Sequence, residues 1–220
     1  MIIAIDGPAA SGKSTTAKLI AREFGLLYLD TGAMYRAVAL YVKEHDIDLN
    51  DFLSSESMLS DIEIEFKVFD QENHIFLNGK DVSENIRTPE ISKMSSDVAT
   101  IRIIREKMVE IQRKLSSEKN VILDGRDIGT VVFPDADFKF FLTASVEKRA
   151  LRRYLELTEK GLEVNIEDIK KDLLWRDMND IGREVAPLKK AEDAIEIDNS
   201  EMSINEQVEY ISKMIRERFA

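Results

Sequence analysis

The chain has 220 residues, enough for one domain with a full apolar core and no disulfide or metal staple. Hydrophobic residues make up 44% and charged residues 33%, the balance of a folded chain rather than a disordered one. Lys and Arg number 31 against 42 Asp and Glu, a net charge of -11 that argues against a general nucleic-acid or membrane-surface binder, while zero cysteines and two histidines exclude disulfides, thiolate catalysis and Cys- or His-rich metal sites.

Residues 2–5 form the first apolar run, and Asp6 ends it. It is too short for the core of a secretion signal, and no apolar stretch approaches the ~20 residues needed to span a bilayer. The expectation is a cytoplasmic protein with no membrane partner. As a strand, 2–5 leads straight into Gly7, Pro8, Ala9, Ala10, Ser11, Gly12, Lys13 and Ser14, which fit G-x-x-x-x-G-K-[ST]. The glycines let the backbone wrap close to a polyphosphate, so that N–H groups and a helix N-terminus point at its oxygens. Lys13 can reach the β- and γ-phosphates, and the Ser14 hydroxyl can ligate Mg²⁺. Ala17, Ile20, Ala21 and Phe24 then repeat at helical spacing, and Gly25 predicts the helix stop.

A second strand is predicted over 26–29. Asp30, Thr31, Gly32, Ala33, Met34, Tyr35 and Arg36 follow, with Thr31 placed to cap a helix and Arg36 on its second turn. From about 61 to 85 the rhythm changes. Ile62, Ile64, Phe66 and Val68 alternate with polar residues, and Asn78-Gly79 is a strong hairpin signal. This predicts a small antiparallel insert. Ile101, Ile104, Met108, Ile111 and Leu115 predict an amphipathic helix.

Strands are next predicted over 121–123, 138–142 and 194–197. Asp124 falls at the C-terminal end of the first of these, where a carboxylate partner of Mg²⁺ sits in phosphate-loop enzymes. Arg126 and Asp127 follow and would face the ligand crevice. Arg149, Arg152 and Arg153 share one predicted helix; Arg176, Asp177, Asp180 and Arg183 share another. Phosphoryl transfer needs convergent arginines and exclusion of water, so 145–190 is expected to be a helical lid, its mobile part at about 152–182. Ile204, Val208, Ile211 and Ile215 predict a last helix. His45 and His74 fall in expected surface segments and receive no role.

Four stretches together resemble the bacterial cytidylate kinases: DGPAASGKST at 6–15, DTGAMYR at 30–36, DGRDIGTVVFPDA at 124–136 and REVAPL at 183–188. The likeness runs nearly end to end and takes in the 61–85 insert, which is similar to the monophosphate-binding insert of those enzymes. It implies a phosphate-loop NTPase fold over 1–220. That is a single domain with a five-stranded parallel sheet flanked by helices, the antiparallel insert and the lid. It implies that Gly7, Pro8, Ala9, Ala10, Ser11, Gly12, Lys13, Ser14 and Thr15 hold the phosphates of ATP. Arg36, Arg126 and Arg183 would contact the acceptor phosphate, with Lys13, Arg126 and Arg183 as the catalytic set. Ser96, Arg105 and Asp127 would read cytosine, and Asp180, helped by Arg176, would bind the sugar. Thr31 stands where some relatives have Ser, with the same hydroxyl; Gly182 stands where some have a polar residue, which would loosen the turn there.

The chemistry of the base fits those residue types. Cytosine presents an amino donor at N4 and acceptors at N3 and O2. Asp127 can accept from N4, while Arg105 and Ser96 can donate to the ring. The expected reaction moves the γ-phosphoryl group of Mg·ATP to CMP or dCMP in a cytoplasmic monomer. A kinase of UMP or shikimate is the nearest rival. A carboxylate that reads the base disfavours uracil, and the base-reading set would be idle with shikimate. A nucleotide-dependent switch is the rival of a different class, and it needs no acceptor arginines.

Overall fold

The computed structural model describes residues 1–49, 59–69, 72–117 and 120–219. In chain order it contains β1 (Ile2–Asp6), α1 (Lys13–Phe24), β2 (Leu27–Asp30), α2 (Thr31–Glu44), β3 (Ile64–Phe69), β4 (Glu72–Leu77), β5 (Lys80–Asp81), α3 (Pro89–Val98) and α4 (Arg102–Ser116). Then follow β6 (Val121–Gly125), a single π-helical turn (Ile128–Val132), β7 (Phe138–Thr143), α5 (Val146–Glu159), α6 (Ile166–Gly182), β8 (Ile195–Asp198) and α7 (Ile204–Phe219). The chain divides into two compact units: Met1–Tyr28 with Lys119–Ala220, and Leu29–Glu118. No helix among the described residues is long and apolar enough to cross a membrane.

The large sheet is parallel, with strand order β2-β6-β1-β7-β8. β1 is central and pairs β6 on one side and β7 on the other. Its residues face helices on both sides, so Ile3, Ala4 and Ile5 are fully buried, as the unbroken apolar run predicts. In the first unit Ile3, Ile5, Ile20, Phe140, Leu142, Ile197, Ile211 and Ile215 form one core joining β1, α1, β7, β8 and α7. A second cluster packs Ala150 and Leu157 of α5 and Ile169 and Leu173 of α6 on Ala9. The predicted helical segment therefore touches the phosphate loop itself.

The five core strands lie within a residue or two of their predicted places, and each runs on past its predicted end. Gly25 ends α1 as expected, with φ 64° and its N–H bonded to Ala21 O. The cap of α2 differs. Thr31 is the first helical residue, and Asp30 is the cap, accepting from Ala33 N at 2.8 Å. Both types cap well; β2 keeps its predicted length but ends one residue later, and that leaves Asp30 at the boundary.

The second unit has its own core, built on Met34, Val38, Val42, Ile75, Ile86, Ile104 and Met108. The 61–85 alternation is indeed antiparallel: Ile64 pairs Leu77 and Phe66 pairs Ile75. Asn78 and Gly79 turn β4 into β5 with φ 50° and 78°, the left-handed pair a two-residue hairpin demands. In α4 the buried face is more polar than the apolar stripe predicts, because Arg105, Gln112 and Ser116 are buried beside Ile104 and Met108.

Candidate active site

The phosphate loop joins β1 to α1. Gly7 has φ 147°, and a Cβ there would stand 2.0 Å from Leu142 O of β7. Gly12 caps α1 with φ 90°, leaving the helix's first N–H groups without a side-chain cap. The glycine spacing is thus set by two different needs, a backbone-to-backbone approach at Gly7 and left-handed geometry at Gly12. The first is the stricter. Gly7→Ala is expected to cost at least ~3 kcal/mol, because the overlap is with backbone that has no rotamer to yield. For a chain of this size that lowers Tm by about 6–12 °C. Gly25→Ala, with nothing within 4 Å, should cost only the left-handed penalty of about 1–2 kcal/mol. Equal melting of the two variants would remove the close-approach argument.

Lys13 is buried, and its Nζ donates to Pro8 O at 2.7 Å and Ser11 Oγ at 3.4 Å. Burial and then Arg126 push its ammonium down to about 7, against the pull of Asp124, Asp180 and Asp6. Ser14 Oγ donates to Asp124 Oδ2 at 2.7 Å, and Tyr28 Oη donates to Asp124 Oδ1 at 2.7 Å. With its O–H directed at Asp124, the Ser14 oxygen keeps lone pairs for a metal. Among the described residues no group of three acidic or histidine side chains could hold a metal ion. That donor set fits Mg²⁺, which takes one or two protein oxygens, keeps waters and completes its shell with substrate phosphates.

Several loop supports escaped sequence reading. Arg149 donates to Ala9 O at 3.1 Å and Ala144 O at 3.0 Å, and pairs with Asp177 of α6 at 2.7 Å. Asn199 donates to Ser11 O at 2.7 Å and accepts from Arg152 at 2.9 Å. Gln207 of α7 donates to Thr16, whose hydroxyl donates to Gly12 O at 3.0 Å. Three carbonyls of the loop are therefore held from α1, α5 and the segment after β8.

Elsewhere in the first unit, Asp180 gathers two arginines. Arg126 Nε donates to its Oδ2 at 2.7 Å, and Arg183 lies 3.7 Å from its Oδ1. Burial works against the Asp180 charge, but Arg126 and Arg183 hold its carboxyl below the usual range. Arg176 pairs with Asp172 at 3.0 Å. Asp127 is buried, directly ahead of the π-helical turn.

The second unit carries Thr31, Arg36, Ser96 and Arg105. Arg36 pairs with the capping Asp30 at 3.0 Å, so Asp30 both starts α2 and holds its arginine. Arg105 is buried, donates to Ala99 O at 3.1 Å, and lies 5.4 Å from the centre of the Tyr35 ring. Ser96 is half-buried on α3, and Thr31 is buried.

The Cytidylate kinase family model matches residues 3–217. Curated cytidylate kinases of Lactobacillus gasseri and Lactobacillus johnsonii are 50% and 49% identical over 218 residues, covering 99% of this chain and 95% of theirs. A solved structure of an uncharacterized protein from Eubacterium ventriosum aligns with a TM-score of 0.51 at 14% identity over 98% of both chains, a likeness of fold alone.

Proposed function

The chain belongs to the cytidylate kinase family and is an ATP-dependent kinase of CMP and dCMP; on that premise we propose how its residues divide the work. Gly7, Pro8, Ala9, Ala10, Ser11, Gly12, Lys13, Ser14 and Thr15 hold the ATP phosphates through loop N–H groups and the start of α1. Lys13 leaves Pro8 O for the β- and γ-phosphates. Ser14 would ligate Mg²⁺ directly, and Asp124 would support the ion from behind through the hydrogen bond it accepts from Ser14. When bound, the ion neutralises phosphate charge.

Arg36, Arg126 and Arg183 contact the acceptor phosphate, Ser96, Arg105 and Asp127 read the base, Asp180, helped by Arg176, binds the sugar, and Thr31 is a further substrate contact. An oxygen of the acceptor phosphate attacks the γ-phosphorus and the bond to the bridging oxygen breaks, so ADP leaves. The attacking oxygen is already anionic, so no side chain need take a proton. Helices α5 and α6 serve as the lid that excludes water, in one kinase domain that works as a cytoplasmic monomer.

One observation carries this reading beyond a generic triphosphate site. Arg126 Nε donates to Asp180 at 2.7 Å and Arg183 lies 3.7 Å from the same carboxylate, and the Arg126 charge also disfavours that of the loop's Lys13. Two neighbouring cationic groups suit a transfer between two anions, whereas a switch needs only the first. ADP release measured over a panel of acceptors tests it. Turnover is expected with CMP and dCMP and to be far lower with UMP, shikimate or no acceptor. Slow release at one rate regardless of acceptor would mean a switch.

A further inference from the structure

Asp6 has no part in the roles above. It ends β1, directly ahead of Gly7, and is buried. Its Oδ1 accepts from Ile128 N at 2.9 Å, and its Oδ2 accepts from Gly129 N at 2.8 Å. Those are the opening N–H groups of the π-helical turn, which have no partner within the turn. Such turns are rare and gather at functional sites. Asp127 is the residue just before it, and its own carbonyl accepts from Val131 N at 2.9 Å and Val132 N at 3.2 Å. The peptide after Asp127 is therefore gripped from both sides. Gly129 brings the turn tight against the clamp: a Cβ there would stand 3.2 Å from Lys139 Cδ and 3.4 Å from Asp6 Oδ2.

The acid is costly to keep. Burial pushes the Asp6 carboxyl up to about 7, with Asp127 adding to the push, while the two N–H bonds and Lys13 pull it back. Only a carboxylate justifies that cost chemically. Asparagine has the same shape but one acceptor atom, so it can meet only one of the two N–H groups.

We propose that Asp6 is a positioning residue for base selection, whose two acceptor oxygens fix the backbone at 128 and 129 and thereby aim the Asp127 carboxylate. The proposal rests on the base-reading role given to Asp127. Asp6→Asn turns an NH₂ group towards one backbone N–H, and that half of the clamp opens. With thermal melting recorded alongside, kcat/KM is measured for CMP and UMP at saturating ATP. The CMP:UMP ratio is expected to fall about tenfold, since a misaimed carboxylate loses its bond to N4 more than it loses anything with uracil. A clamp that merely supports the phosphate loop would lower both substrates alike, and an unchanged ratio in folded Asp6→Asn overturns the proposal. If that variant does not fold, Gly129→Ala decides, because it presses on the same clamp without altering charge: a reduced ratio supports the proposal and an unchanged one overturns it. Asp127→Asn run in parallel separates the two claims. An unchanged ratio there removes base reading and the clamp together. A collapsed ratio there with an intact one in Asp6→Asn removes the clamp alone.

Discussion

Lys13→Ala should melt cooperatively near the wild-type temperature while kcat falls by about three powers of ten or more, equivalent to ~4 kcal/mol of lost transition-state stabilisation. The two halves of that expectation have separate causes. On the stability side, the variant loses donors to Pro8 O and Ser11 Oγ. A carbonyl left unmet costs about 1–3 kcal/mol. Against that, the fold holds Lys13 well below the ordinary lysine value, chiefly through burial. A lysine whose folded pKa is lowered binds protons less well folded than unfolded, so at neutral pH its charge works against folding. Removing it relieves that penalty, and the two effects offset.

On the catalytic side nothing offsets. In the proposed role the buried ammonium exchanges Pro8 O and Ser11 Oγ for phosphate oxygens, and alanine puts no charge in its place. Lys13→Arg makes a sharp companion. It keeps the charge but brings a planar fork in place of a compact ammonium, into a site shaped by Pro8 O and Ser11 Oγ. It should recover only a small part of the lost rate. A kcat near wild type in Lys13→Ala would remove the phosphate-loop mechanism outright.

What could be read from the sequence and what could not follows the range of the interactions. The core strands were visible because burial on both faces leaves short unbroken apolar runs, and Gly12 because its left-handed geometry excludes other residues locally; Gly7 showed through the motif spacing, although what forbids a side chain there is Leu142 O of β7. The Asn78-Gly79 turn is local in the same way as Gly12. The contacts that aim the site are not. Asp6 meets Ile128 across 122 residues, Arg149 meets Ala9 across 140, and Asn199 meets Ser11 across 188. No periodicity or spacing encodes such a pair, and an Asp, an Arg or an Asn taken alone reads as an ordinary surface residue. The nearer miss at Asp30 was a matter of one residue, since two good caps stood side by side. The polar face of α4 is a third kind of case. Arg105, Gln112 and Ser116 sit at helical spacing, but polar residues at that spacing normally mark the solvent side.

The sharpest test of the acceptor roles is Asp127→Asn. Cytosine offers an amino group at the position where uracil has a carbonyl oxygen. A buried carboxylate there gains a charged hydrogen bond with one base and meets a lone pair with the other. The difference should favour CMP by at least ~1.5–3 kcal/mol, or roughly tenfold to a hundredfold or more in kcat/KM. Asparagine keeps the size and adds an NH₂ donor that can turn to the uracil oxygen. The expected result is that kcat/KM falls for CMP and falls far less, or rises, for UMP, so that the ratio collapses. The competing account makes Asp127 a structural partner that keeps Arg126 in place. The geometry gives Arg126 a carboxylate elsewhere, at Asp180, 2.7 Å away. Under the competing account the substitution would misplace an arginine that serves any nucleoside monophosphate, and both substrates would suffer alike. Both activities lowered together, with the CMP:UMP ratio unchanged, would therefore leave Asp127 as a structural partner and return the base-reading role to Ser96 and Arg105 alone.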